Sequence, residues 1–325
     1  MRFALEEIHD DFAASLDSLL SKADSPAVIR AWSDGDAAPG TALWGRLAET
    51  GVNGLLIGED DGGMGADALF LIVAAEKLGY YGVPGPVAET LAVAPTLLAA
   101  VAPDRLGALS EGALATVAAP PATPYAVDAG TAATVLRVDP ADGGAVVALG
   151  EPGARAQSVD RARHLYATEA GAQLGTVDAG VLAAAQDLGA LATAAQLQGL
   201  GQAMLDATVE YAKQRKQFGR AIGSQQAVKH LVAEVAVGVE MARPLLYAAA
   251  MAVRDGAPTA RRDVHAAKLA CGRAAYHSSR VALQVHGAIG YTQEHDLSLL
   301  LTKTRALVTA WGTPADHRGR IMEAL

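Results

Sequence analysis

A single cysteine, Cys271, stands in 325 residues, which excludes an internal disulfide framework and any multi-cysteine metal site. Aromatic residues are scarce at 5%, although 51% of the chain is apolar. The core must therefore be built from Ala, Leu and Val, and helices packed closely on small side chains are the expected form. Charged residues reach only 19%, below the roughly 25% of an ordinary globular chain. The net charge of −9 argues against a general nucleic-acid or anionic-membrane binder. No HExxH, GxSxG, Walker loop or strand-linked GxGxxG is present. The eight histidines are scattered, none at metal-ligand spacing, and each reads as a surface or capped histidine. Residues 1–20 alternate charge with apolar positions, unlike a signal or transit peptide. The longest weakly polar stretches, such as 91–101, fall short of the roughly 20 residues that cross a bilayer. A soluble, cytoplasmic protein is expected, with core enough for two or three domains.

Three segments follow one another. In 1–116, Phe3, Leu5, Ile8, Phe12, Leu16 and Leu19 recur at helical spacing. A glycine-rich turn, Gly62-Gly-Met-Gly65, needs positive φ, and a helical run from Leu69 to Leu78 closes at Gly79. In 117–177 a helix-breaking linker, 118–124, precedes short β-prone runs at 134–139 and 145–150, which predicts a small sheet of short strands. In 178–325 the helical period returns in four long helices, the pattern of an antiparallel bundle. The fold class is mainly α with a small β domain.

Two stretches carry the chemistry. From Tyr211 to Gln226 the chain holds Lys213, Arg215, Lys216 and Arg220, with Lys229 beyond, and no acid lies between Glu210 and Glu234. A basic helix end followed by a glycine-bounded turn can cradle a pyrophosphate, and Phe218 can offer an apolar plane to a nucleotide; a solvated basic helix end is the alternative. The second stretch, Gln284-Val-His-Gly-Ala-Ile-Gly-Tyr291, ends a helix on glycine and lets backbone approach a ligand closely, or is an ordinary glycine cap.

Together Arg215-Lys-Gln-Phe-Gly219 with Gln226, and Gln284 to Tyr291, resemble the two signature segments of the acyl-CoA dehydrogenase family. The turn at 62–65 before Glu76-Lys-Leu-Gly79 is similar to that family's N-terminal domain. The resemblance implies an N-terminal helical domain, a truncated middle β domain and a C-terminal four-helix bundle. It implies FAD as cofactor, with its ADP half held by Arg215, Gln217, Phe218, Gln225, Gln226, Gln284 and Gly287 and its ring mainly in a neighbouring chain. The family's reaction removes an α proton from an acyl thioester while the β hydride passes to the flavin. That proton needs a carboxylate in a dry site.

The carboxylate is missing. By the resemblance, the usual base position is Trp311 and the alternative one is Gly189. The CoA-contacting arginine aligns with Ala190, and the segments that hug the flavin ring are absent. Such chains are similar to the small, base-less subunits of actinobacterial heterotetrameric acyl-CoA dehydrogenases of the steroid-CoA type. The implied role is a non-catalytic subunit of an α2β2 enzyme, donating the ADP half-site to a homologous catalytic partner that holds most of the acyl-CoA substrate. Two alternatives stand beside it: a self-sufficient homomer using Asp187 or Glu294 as an atypical base, and a flavin-free structural subunit. Trp311 is expected to fill the vacated base pocket.

Overall fold

The N-terminal apolar spacing folds into helix α1, Glu7–Leu20, which buries Leu16 and Leu20. The structure is a computed structural model and describes residues 5–325, so Phe3 lies outside the described residues. Helix α2, Ser25–Ser33, starts where the Asp24 carboxylate accepts from the Ala27 amide, with proline in its first turn. Helix α3, Ala38–Ala48, buries Leu43, Trp44 and Leu47. The glycine turn bends through positive φ at Gly62 and Gly65. Asp67 then caps α4, Ala68–Tyr80, by accepting from Leu69 and Phe70. A π-helical turn at Glu89–Val93 runs into α5, Ala94–Val101, and α6, Leu106–Ser110, follows.

A mixed sheet comes next: β1 Ala115–Ala118, β2 Ala126–Val127, β3 Thr134–Ala141, β4 Gly144–Ala156 and β5 Leu165–Asp178. The strand order is β1-β3-β4-β5-β2, with β1 parallel to β3 and the other pairs antiparallel. Two of these strands are longer than the short ones expected, at 13 and 14 residues. The β5 sequence carries three Ala and two Gly, so pairing with β4 rather than its own propensity holds it extended.

The chain leaves β5 directly into α7, Ala179–Gln214, where Asp178 accepts from the Val181 amide at 2.8 Å. Helices α8 (Gln226–Arg254), α9 (Ala260–His286) and α10 (Leu297–Leu307) complete the bundle, and α11 (Pro314–Glu323) closes the chain. Polar side chains lock neighbouring helices: Gln198 donates to the Val239 carbonyl at 2.9 Å and Ser278 to the Gly201 carbonyl at 2.8 Å.

Two expectations are corrected here. Gly79 lies inside α4 and does not end it. A Cβ at Gly79 would sit 2.2 Å from the Gln196 carbonyl oxygen, and one at Gly199 would sit 2.0 Å from that of Glu76. Glycine serves here for a backbone-to-backbone crossing of α4 and α7. Helix α8, at 29 residues, is long and apolar enough by length and composition to cross a bilayer, which the expectation from 91–101 overlooked. Interspersed charges at Glu234, Glu240 and Arg243 mask it in the sequence. In the fold α8 is a bundle helix that buries Val235, Val239, Ala242 and Leu246, and Arg243 pairs with Glu76 on α4.

Candidate functional site

All seven residues expected to hold a nucleotide fall at one end of the bundle. Arg215 is the residue that ends α7. A two-residue hairpin follows, pairing β6, Lys216–Gln217, with β7, Arg220–Ala221. Its tip places Phe218 at φ 50 and Gly219 at φ 77, the double positive φ of a type I′ turn. The Phe218 side chain is 93% exposed. The Ile222 amide donates to the Arg215 carbonyl at 2.8 Å, which folds the hairpin back on the helix end. Gln225 is the N-cap of α8 without a capping side-chain bond, and Gln226 opens that helix. Because α9 runs parallel to α7, its C-terminus returns to the same end. Tyr211 stacks on His286 with ring centroids 4.1 Å apart and donates to the His286 carbonyl at 3.4 Å. Gln284 is exposed, and Gly287 adopts φ 66 with nothing within 4 Å of where a Cβ would lie.

The electrostatics suit an anion. Among the described residues Arg215, Lys216, Arg220 and Lys229 join no ion pair. They lie in the hairpin before α8 and in its first turn, and the free amides of that helix start add positive potential. The donor set fits the ADP half of a dinucleotide: Arg215 for the pyrophosphate, glutamines for neutral hydrogen bonds, and an exposed phenyl plane for a base.

The two positions that the resemblance assigns to the base adjoin each other. Trp311 follows α10 with φ 55 and is 6% exposed. Its indole N–H donates to Glu89 Oε1 at 2.9 Å. A Cβ at Gly189 would lie 2.8 Å from the Trp311 ring and 2.8 Å from Val93, so no larger side chain fits at 189 while the indole is there. Behind Trp311 lies a narrow cavity lined by Glu89, Asp160, Arg163, Thr193, Gln196 and Lys303, with room for about one water. Burial pushes the Glu89 carboxyl up, against the opposing pull of Arg163 and the indole hydrogen bond. Burial also raises Asp160 and lowers Lys303, whose ammonium donates to the Val83 carbonyl at 2.6 Å. Sequence reasoning missed Glu89 and Lys303. The available signal for Glu89 was one acid alone in the apolar run from Val83 to Val101.

The atypical-base candidates are placed elsewhere. Glu294 is exposed. Asp187 faces His265 Nε2 at 3.3 Å. His317 Nε2 lies 3.1 Å from the Gly312 carbonyl, which only accepts, so that nitrogen carries the proton. His317 Nδ1 then accepts from His265 Nδ1 at 3.0 Å. The hydrogen-bonded link is therefore His265–His317, between α9 and α11, while Asp187 Oδ1 and His265 Nε2 lie close without a hydrogen bond. Burial lowers His317 to about 3, consistent with its neutral place in that pair. Of the histidines read as surface or capped, His9, His164, His265, His286 and His317 are buried; the last four meet polar partners, and His9 packs on the Phe70 ring. Ala190 is fully buried. Among the described residues no cluster of His, Cys, Asp or Glu could hold a metal.

Residues 6–104 match the N-terminal domain, and residues 180–325 the C-terminal domain, of acyl-CoA dehydrogenases. Acyl-CoA dehydrogenase IpdE2 of Mycobacterium tuberculosis is 31% identical over 312 residues, covering 94% of this chain and 93% of its own length. Among solved structures, the ChsE4-ChsE5 complex from Mycobacterium tuberculosis superposes with a TM-score of 0.85 at 23% identity, covering 99% of this chain and 98% of that one. A variant of the Tcur3481-Tcur3483 steroid ACAD gives a TM-score of 0.86 at 21% identity, covering 98% and 97%.

Proposed function

We propose a function from one established premise: the chain belongs to the acyl-CoA dehydrogenase family. It is the non-catalytic subunit of an α2β2 acyl-CoA dehydrogenase, and its basic bundle end supplies the ADP half-site of an FAD whose ring lies in a homologous catalytic partner. The observation that carries this reading is the indole of Trp311 lying on Gly189. Both positions from which the family's base can act are closed by one side chain that cannot take a proton.

Distance supports it. Gly189 and Arg215 lie 26 residues apart on α7, about 39 Å at 1.5 Å per residue. That exceeds the reach of an extended dinucleotide, so this chain's nucleotide end and its own base position cannot serve the same cofactor. Bound flavin supplies a hydride acceptor. Arg215 and the first amides of α8 neutralise the pyrophosphate, and Gln225, Gln226 and Gln284 orient it without adding charge. The Tyr211–His286 stack holds the α7 and α9 ends in register.

The outer face of α8 offers a surface for the partner, since Val237, Met241 and Leu245 are exposed at successive four-residue steps. A steroid acyl-CoA is the substrate class we assign, by likeness to the solved steroid ACAD. Arg215→Ala tests the half-site. In the assembled complex it should lower flavin content while leaving subunit association intact, whereas unchanged flavin content would favour the flavin-free scaffold.

A further inference from the structure

Inside the bundle, three polar contacts line up between α7 and the turn that carries Trp311. Asp187 Oδ1 on α7 lies 3.3 Å from His265 Nε2 on α9. His265 Nδ1 lies 3.0 Å from His317 Nδ1 on α11, and His317 Nε2 lies 3.1 Å from the Gly312 carbonyl oxygen. Both imidazoles are buried. Each contact needs one proton between its two atoms to become a hydrogen bond. Two neutral imidazoles carry one N–H each and an ionised carboxylate carries none, so three contacts share two protons. The Gly312 carbonyl only accepts, which fixes one proton on His317 Nε2 and leaves the other to His265 Nδ1. The gap falls at the Asp187 end. There a carboxylate oxygen and an imidazole lone pair face each other, both buried and both without a hydrogen-bond partner.

Two facing acceptors repel, and a proton between them turns that repulsion into a charge-assisted hydrogen bond. We propose that Asp187 and His265 form a proton-binding site, and that His317 conveys its occupancy to the Gly312 carbonyl beside Trp311. The proton adds to His265 Nε2: one N–H bond forms, the imidazole gains one positive charge, and the Asp187 carboxylate balances it. His265 Nδ1–H then donates more strongly to His317, and His317 Nε2–H more strongly to Gly312, because hydrogen bonds in a chain polarise one another. Burial, Lys268 on α9, His265 and Arg320 on α11 all act against a charge on His317. A single proton therefore settles at the Asp187 end, where α7 supplies the carboxylate. At the other end the contact is close: a Cβ at Gly312 would lie 2.8 Å from His317 Nε2, so glycine lets the ring reach the turn. The site goes beyond the half-site function and does not rest on it, since it governs how firmly the turn bearing Trp311 is tied to the bundle.

Imidazole nitrogen NMR on the full chain, titrated from about pH 8 to about pH 5 where histidine charge changes, counts the protons. At the upper end His265 should carry a proton on Nδ1 alone. Toward the lower end it should gain one on Nε2, while His317 keeps a single proton throughout. Asp187→Asn sets an amide N–H opposite Nε2, fills the gap without a proton and should abolish the uptake. Amide hydrogen exchange at 311–313, corrected for the intrinsic effect of pH, reads the link to the turn. In the natural chain it should slow roughly two- to tenfold on protonation, the worth of one hydrogen bond, and in Asp187→Asn it should not slow. A proton already on Nε2 at the upper end, none gained there by the lower end, or uptake unchanged in Asp187→Asn overturns the site. Uptake without slower exchange overturns the link to Trp311. Both readings on the natural chain stand even where the variant does not fold, and neither depends on flavin.

Discussion

Trp311 is the side chain on which the account turns, and its replacement has a calculable cost. The indole is 6% exposed, sits at φ 55 and donates to the buried Glu89 carboxyl. Truncation to Ala removes a buried aromatic, which costs about 3–5 kcal/mol, and it removes the donor from Glu89. Alanine keeps the unfavourable left-handed backbone, whereas glycine relieves about 1–3 kcal/mol of that strain. Glycine gives back about 0.4–1 kcal/mol through the entropy of the unfolded chain. Trp311→Gly should therefore be about 1 kcal/mol more stable than Trp311→Ala, the reverse of the order in a helix. Urea unfolding followed by circular dichroism, with m unchanged between variants, measures both. An alanine variant within 1 kcal/mol of the natural chain, or a glycine variant less stable than the alanine one, would refute the reasoning that a strained, packed indole closes this site.

Other outcomes follow from the same geometry. Gly199→Ala places a Cβ 2.0 Å from the Glu76 carbonyl oxygen and should destabilise by about 1–3 kcal/mol or more, read as a lower urea midpoint. Lys268 is buried with its ammonium donating to the Leu307 and Val308 carbonyls at 3.0 and 3.1 Å, and burial lowers it from 10.5 to about 7. The unfolded chain binds more protons than the folded one between those values, so stability from this group rises as pH rises from about 7 toward 10.5. Lys268→Met should flatten that slope in unfolding curves taken across the window. Asp187→Asn should leave turnover of the assembled enzyme within about twofold, because the side chain faces His265 inside the bundle. It should also change stability by less than about 1 kcal/mol, because Asp187 Oδ1 makes no hydrogen bond; a hundredfold loss of turnover would make Asp187 a base after all.

The bundle was legible because its helices are long. Leu197, Leu200, Met204 and the Val positions of α8 repeat over several turns, and that periodicity survives any local irregularity. The family segments were legible because Arg215 to Gln226 and Gln284 to Tyr291 are each contiguous. What stayed hidden depended on distance or on pairing. Glu89 and Trp311 are 222 residues apart, and no local rule joins them to Gly189. Strand β5 has little intrinsic preference for an extended chain and is made by its neighbour β4. Gly79 looked like a helix stop because a scan along one helix does not show the second backbone that glycine admits. The buried histidines were hidden for the same reason: His265 and His317 find each other only across α9 and α11.

The most direct measurement is flavin per chain, by absorbance, on this protein purified alone and then co-expressed with a catalytic family partner. A shared site predicts no flavin on the chain alone and one flavin per pair of unlike chains in the complex. One flavin per chain on the isolated protein would contradict it and would mean a self-contained site with its own base.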